Sequence, residues 1–203
     1  MAPPDEIFLL NQEYIQDSRK EKINGGIGVY LNDEGEAYVM PVVKKVISHL
    51  PFSNFNYLPI SGDKNYLDET AKLILGQDLF NSVVDRIASQ GTIGGTNGLY
   101  LWGCLVKYLI PKPTIILSNP TWENHQKIFS YLGFKIVEYQ HLTADKKLNF
   151  KELVNVIMKH PRSFILLQGG PTHNPTGVNP NSREWEQLIE LIQTNQIQVL
   201  FGR

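Results

Sequence analysis

Three short segments of the chain hold residue types that can bind or transform a ligand. Residues 91–98 read GTIGGTNG and run directly into an apolar stretch. Glycines let backbone N–H groups approach an anion, and the free amides and dipole at a helix start favour one. Thr96 adds a hydroxyl beside Gly95. The spacing is neither G-x-G-x-x-G nor G-x-x-x-x-G-K-[ST], so the dinucleotide fingerprint and the P-loop are both excluded. Taken alone, the loop suits a phosphate or a plain tight turn. Residues 118–125 read SNPTWENH. Trp122 falls at a predicted helix start, where an indole either stacks on a flat ring or packs into the core. His125, three residues on, shares that helical face. It suits a structural or a catalytic role, and the five histidines show no metal-ligand spacing. Residues 168–177 read QGGPTHNPTG. Turn chemistry explains the prolines and glycines. It does not explain the order His173-Asn174-Pro175-Thr176-Gly177, which is the most specific signal in the chain.

The elements that must position these segments follow from periodicity. Short apolar runs alternate with amphipathic stretches. The pattern predicts strands over 85–90, 114–118, 135–140, 163–167 and 197–201. It predicts helices over 11–17, from Pro41, over 63–75 with Gly76 as its stop, and over 96–109, 122–132, 150–159 and 183–194. Asn149 is placed as an N-cap, with Glu152 spaced to reach back. Continuous runs such as Phe164-Ile165-Leu166-Leu167 suit strands buried on both faces of a parallel sheet. Strands alternating with helices predict an α/β fold. Ligands in such folds collect outside the carboxyl ends of the strands. That directs attention to the loops after Gln90, Ser118 and Leu167. The first 35 residues lack this regularity and read as an arm lying on something else.

Bulk properties narrow the function classes. The chain has 203 residues, 42% hydrophobic and 19% charged, with 19 Lys and Arg against 20 Asp and Glu. A formal net charge of -1 argues against a nucleic-acid or anionic-membrane partner. The single cysteine, Cys104, lies in an apolar stretch and reads as a small core residue. The start lacks the basic and apolar pattern of a signal peptide, and no apolar run reaches membrane-spanning length. The expected location is cytoplasmic.

The chain resembles the class I pyridoxal-phosphate-dependent aminotransferases, in their aspartate/aromatic branch. The resemblance rests on NGGIGVY (24–30), YLPI (57–60), GGT (94–96), SNPTWENH (118–125) and HNPTG (173–177), in order and in register over nearly the whole chain. It implies fold type I of these transferases, with a mainly parallel sheet flanked by helices. Residues 1–36 would be the arm and small-domain segment, and 37–203 the N-terminal part of the large cofactor domain. The implied cofactor is pyridoxal 5'-phosphate, and the implied substrates are an amino acid and a 2-oxo acid. By the same resemblance, Gly95 and Thr96 hold the cofactor phosphate. Trp122 stacks on the pyridine ring, Asn174 bonds the ring's phenolic oxygen, and His125 sits behind the ring nitrogen. Tyr57 reaches the phosphate of the partner subunit in a homodimer. Ile27 and Gly28 close over the substrate, alongside Trp122 and Asn174.

The departures from the family pattern bear on activity. The Schiff-base lysine and the substrate-gripping arginines lie beyond the last residue, so no catalytic residue is assigned within the chain. The expectation is an N-terminal half, truncated or split, retaining part of a cofactor site. The family's Asp facing the ring nitrogen falls at Gly202, and Gly169 stands where many relatives carry His.

Overall fold

The computed structural model describes residues 6–26, 28–50, 56–168 and 172–202. Two compact units divide the chain, Met1–Tyr57 and Leu58–Arg203. The first holds α1 (Glu6–Gln16) and α2 (Pro41–Ile47), with an isolated antiparallel bridge between Leu31 and Ala37. Helix α1 starts earlier than its periodicity suggests. Lys22 folds back on its end, donating to the Tyr14 and Asp17 carbonyls.

The second unit is an α/β layer structure. It opens with α3 (Lys64–Leu75), α4 (Gln77–Val83) and a 3-10 turn at Val84–Arg86. These are followed by α5 (Gly94–Leu109), β1 (Thr114–Asn119), α6 (Glu123–Tyr131) and β2 (Lys135–Gln140). The unit ends with α7 (Phe150–Lys159), β3 (Phe164–Leu167), α8 (Ser182–Thr194) and β4 (Gln198–Phe201). The strand expected over 85–90 is not formed. Its apolar content is only Ile87 and Ala88, too little for a buried ladder. The segment is tied instead to the chain at 60–61: Gln90 Nε2 donates to the Ile60 carbonyl and Gly91 N–H to that of Ser61. Gly76 stops α3 as its composition suggests, at φ 78°, and α4 then begins at once.

The four strands are all parallel, in the order β2-β1-β3-β4. Side chains alternate across the sheet and fill two cores. Ile116, Ile165 and Leu167 pack with Leu153, Val156, Ile157 of α7 and Leu188 of α8. Ile115, Leu117, Phe164 and Leu166 pack with Val106 of α5 and Phe129 of α6. Trp102 closes that second core, edge-on to Phe129 and Phe164 and stacked on Phe134. Each fully buried Ile, Leu or Phe contributes roughly 1.5–3 kcal/mol.

This topology places the ligand edge. The β1-α6-β2 connection moves one way across the sheet, and β2-α7-β3 and β3-α8-β4 move the other way. Right-handed crossovers then put α6 on one face and α7 and α8 on the other, as the two cores require. The direction of winding reverses between β1 and β3. The chain therefore diverges from their carboxyl ends and leaves a crevice, the usual ligand position in an open α/β sheet.

Candidate functional site

The loops leaving β1 and β3 carry Trp122 and Asn174, so these two residues flank the crevice. Helix α5 reaches the same edge from below. Its sixteen residues span about 24 Å. Only residues 110–113 join it to β1, so it runs antiparallel to that strand. Its N-terminus, with Gly95 and Thr96 in the first turn, therefore lies at the strands' carboxyl edge. Ile93 caps that turn without a side-chain hydrogen bond. The first-turn amides have no intrahelical acceptor; the Gly94 N–H donates to the Thr92 carbonyl just before the helix. Gly94 has φ +72°, a conformation that favours glycine, and a Cβ built on Gly95 meets nothing within 4 Å. Thr96 is exposed.

Trp122 is the N-cap residue of α6 and is half-buried. The His125 ring stands against it edge-on, with centroids 5.3 Å apart. His125 is 5% exposed, and its Nδ1 lies 2.8 Å from Thr121 Oγ1. Burial pushes its imidazole down to about 4. Gln168, the first residue after β3, joins the two loops. Its Nε2 donates to Thr121 Oγ1 at 2.8 Å, and its Oε1 accepts from the Asn174 N–H at 2.9 Å. A backbone amide only donates, which fixes which end of the Gln168 amide is oxygen. The Asn174 side chain itself is exposed.

Beneath Asn174, His173 is buried. Its Nε2 lies 2.8 Å from Ser118 Oγ and its Nδ1 2.9 Å from Thr176 Oγ1. Burial, and then the proximity of His141 and His125, push it down to about 4. His141 stacks on it from the loop after β2. Burial lowers His141 too, against a backbone bond to Val178 that raises it. Burial alone pushes the nearby Tyr139 phenol up. The edge therefore holds neutral imidazoles at ordinary pH.

Five of the residues singled out in the sequence share this edge: Gly95, Thr96, Trp122, His125 and Asn174. Tyr57 and Gly28 belong to the first unit, where both are exposed. Ile27 and Gly169 lie outside the described residues. Gly202 follows β4, its N–H bonded to the Leu167 carbonyl. It offers the edge no carboxylate. Sequence reasoning passed over Thr121, Gln168, Tyr139 and His141. His141 and Gln168 each follow directly on a strand's carboxyl end, and that position was the available signal. No group of three or more His, Cys, Asp or Glu able to hold a metal ion occurs among the described residues. Nor is any described helix long and apolar enough to cross a membrane.

The arrangement has counterparts in known proteins. The family described as aminotransferase class I and II matches residues 20–201. The cytoplasmic aspartate aminotransferase of Saccharomyces cerevisiae is 34% identical over 205 residues, covering 99% of this chain and 49% of the relative. Its solved structure superposes with a TM-score of 0.90 over 99% of this chain and 50% of that one. An aromatic-amino-acid aminotransferase from Burkholderia pseudomallei, covalently bound to pyridoxal phosphate, is 32% identical with a TM-score of 0.88. That match covers 98% of this chain and 51% of the other. The chain thus spans about half the length of the curated relatives it matches. With the family matched over nearly all of its residues and the parallel-sheet fold shared, the chain belongs to the class I and II aminotransferases.

Proposed function

We propose that this chain supplies part of the pyridoxal 5'-phosphate site of an aminotransferase of the aspartate/aromatic type, which moves an amino group between an amino acid and a 2-oxo acid. The observation that carries the reading is the placement of Trp122 and Asn174 on either side of the β1–β3 crevice, with the uncapped start of α5 at the same edge. These residues fit a flat, phosphate-bearing ring. The open space over Gly95 leaves room for a phosphate against the α5 amides, and the Thr96 hydroxyl adds a donor. Trp122 offers a half-exposed indole face for stacking. Asn174 offers an amide donor to an oxygen on the ring. His125 backs Trp122 as a neutral imidazole whose Nδ1 is engaged by Thr121.

Bound at this edge, pyridoxal phosphate supplies an electron sink for the α-carbon of an amino acid. The chain's own residues hold and orient the ring. The reading extends to a homodimer in which Tyr57 serves the partner's phosphate and Ile27 and Gly28 cover the substrate, and to a cytoplasmic location.

The test uses pyridoxamine 5'-phosphate, whose amine forms no imine with lysine. Titrating the purified chain should quench tryptophan fluorescence saturably. Thr96→Ala, Trp122→Leu and Asn174→Ala should each weaken binding by about tenfold, the scale of one net hydrogen bond or stacking contact. Affinity unchanged from that of the unmodified chain in all three variants would remove the site from this edge.

A further inference from the structure

His141 is among the buried polar groups at this edge that have no part in holding the ring. His141 is 3% exposed, in the loop leaving β2. Its ring lies flat on His173, with centroids 3.7 Å apart and planes at 13°. Its Nε2 is 2.9 Å from the Val178 carbonyl oxygen, and its Nδ1 is 3.2 Å from the Tyr139 hydroxyl. A carbonyl only accepts, so Nε2 carries the hydrogen and Nδ1 accepts from Tyr139. Both nitrogens are satisfied in one neutral tautomer.

Two of the residues the His141 ring touches, His173 and Val178, bracket the turn that contains Asn174. Within that turn the Gly177 N–H donates to the His173 carbonyl at 2.7 Å, and the Val178 N–H donates to Thr176 Oγ1 at 3.2 Å. One imidazole from another strand's loop therefore grips both ends. The small cavity beside it is lined by Leu148, Leu153, Leu167 and Trp185 among others, and by no charged side chain. Among the described residues, the titratable groups facing the imidazole are Tyr139 from β2 and His173 from the loop after β3.

We infer that His141 is a positioning residue for Asn174, holding the His173–Val178 turn at the sheet edge through its stack on His173 and its bond to the Val178 carbonyl. The functional half of this inference rests on the cofactor reading above; the holding role does not. Burial, which keeps both imidazoles neutral, is consistent with it, since two charged rings face to face would repel.

The experiment compares amide hydrogen exchange and pyridoxamine 5'-phosphate binding in the 203-residue chain and its variants. His141→Phe keeps a ring for the stack and loses the bond to Val178. It should speed exchange at Gly177 and Val178 by about tenfold, the equivalent of one net hydrogen bond, with the β1 amides of Ile116 and Leu117 unchanged. Ligand affinity should fall by a similar factor. His141→Gln, whose amide can still donate to the Val178 carbonyl, should recover part of both. Tyr139→Phe, which removes only the orienting bond, should give a smaller change of the same sign. If His141→Phe does not fold, these two variants carry the comparison. Unchanged Gly177 exchange, or an equal rise in β1, would overturn the holding role. A loosened turn with unaltered ligand affinity would overturn the positioning role and leave the cofactor reading standing. No binding by the unmodified chain would overturn that reading and the functional half of this one together.

Discussion

At the scale of single residues, the site depends on how Thr121 and Gln168 share hydrogens. Gln168 Nε2 donates to Thr121 Oγ1, so the Thr121 hydroxyl hydrogen is available to His125 Nδ1. On the other side, Gln168 accepts from Asn174 N–H. Gln168→Leu fills similar space but leaves the Asn174 amide without its acceptor and removes the donor to Thr121. The bond to Thr121 is part-buried and that to Asn174 is exposed, so the loss is that of a net hydrogen bond, about 0.5–1.5 kcal/mol, and urea midpoints should register a loss in that range. A loss below a few tenths would mean water replaces the link freely. Neither partner was legible in the sequence, because a hydrogen bond across 47 positions follows from strand order and not from local pattern.

At the scale of elements, α5 depends on one small residue. Gly103 faces α6, and a Cβ built there comes within 2.4 Å of a terminal methyl of Leu132 and 3.7 Å of the rings of Phe129 and Phe134. Gly103→Ala meets only the movable methyl, and gains back up to about 1 kcal/mol of helix propensity. Gly103→Val must also displace the aromatic rings. Overpacking of this kind costs about 1–3 kcal/mol. The valine variant should melt clearly below the alanine one, and equal melting temperatures would show that α5 rides loosely on the sheet. The other face of α5 carries Leu101, Leu105, Tyr108 and Leu109, all exposed.

At the scale of the whole molecule, the buried histidines set a pH dependence. Burial pushes His125 and His173 down to about 4 in the fold, against about 6.5 for an exposed imidazole, and lowers His141 as well. The unfolded chain therefore binds more protons as pH falls, so stability drops as pH falls from about 6.5 toward 4. Below that range these groups cost nothing further. The urea midpoint should decline through that window and flatten when His125 and His173 are replaced by Gln. A flat midpoint in the unmodified chain would show the imidazoles to be solvated. A second prediction concerns turnover. Lys107 lies in the last turn of α5 and bonds the Pro111 carbonyl, and Lys159 ends α7. Both helices run antiparallel to the strands, so these lysines lie at the edge opposite the site. A polypeptide of these 203 residues, incubated with pyridoxal phosphate, an amino acid and 2-oxoglutarate, should form no glutamate above a buffer control. Turnover that disappears in Asn174→Ala would mean that an internal lysine serves.

The sequence by itself determined the family, the α/β alternation and most helix and strand positions from β1 onward, because buried apolar runs and amphipathic periods are local patterns. It also marked Gly95, Thr96, Trp122, His125 and Asn174, because the loops that carry them have specific compositions. It misread 85–90 as a strand: two apolar residues there allowed an extended segment, and the backbone at 60–61 supplied the hydrogen bonds instead of a ladder. Only the tertiary structure decided which strands are neighbours. That order reverses the winding between β1 and β3, opens the crevice, and brings Gln168 to Thr121 and His141 to His173. Such contacts join residues tens of positions apart, and no local spacing specifies them.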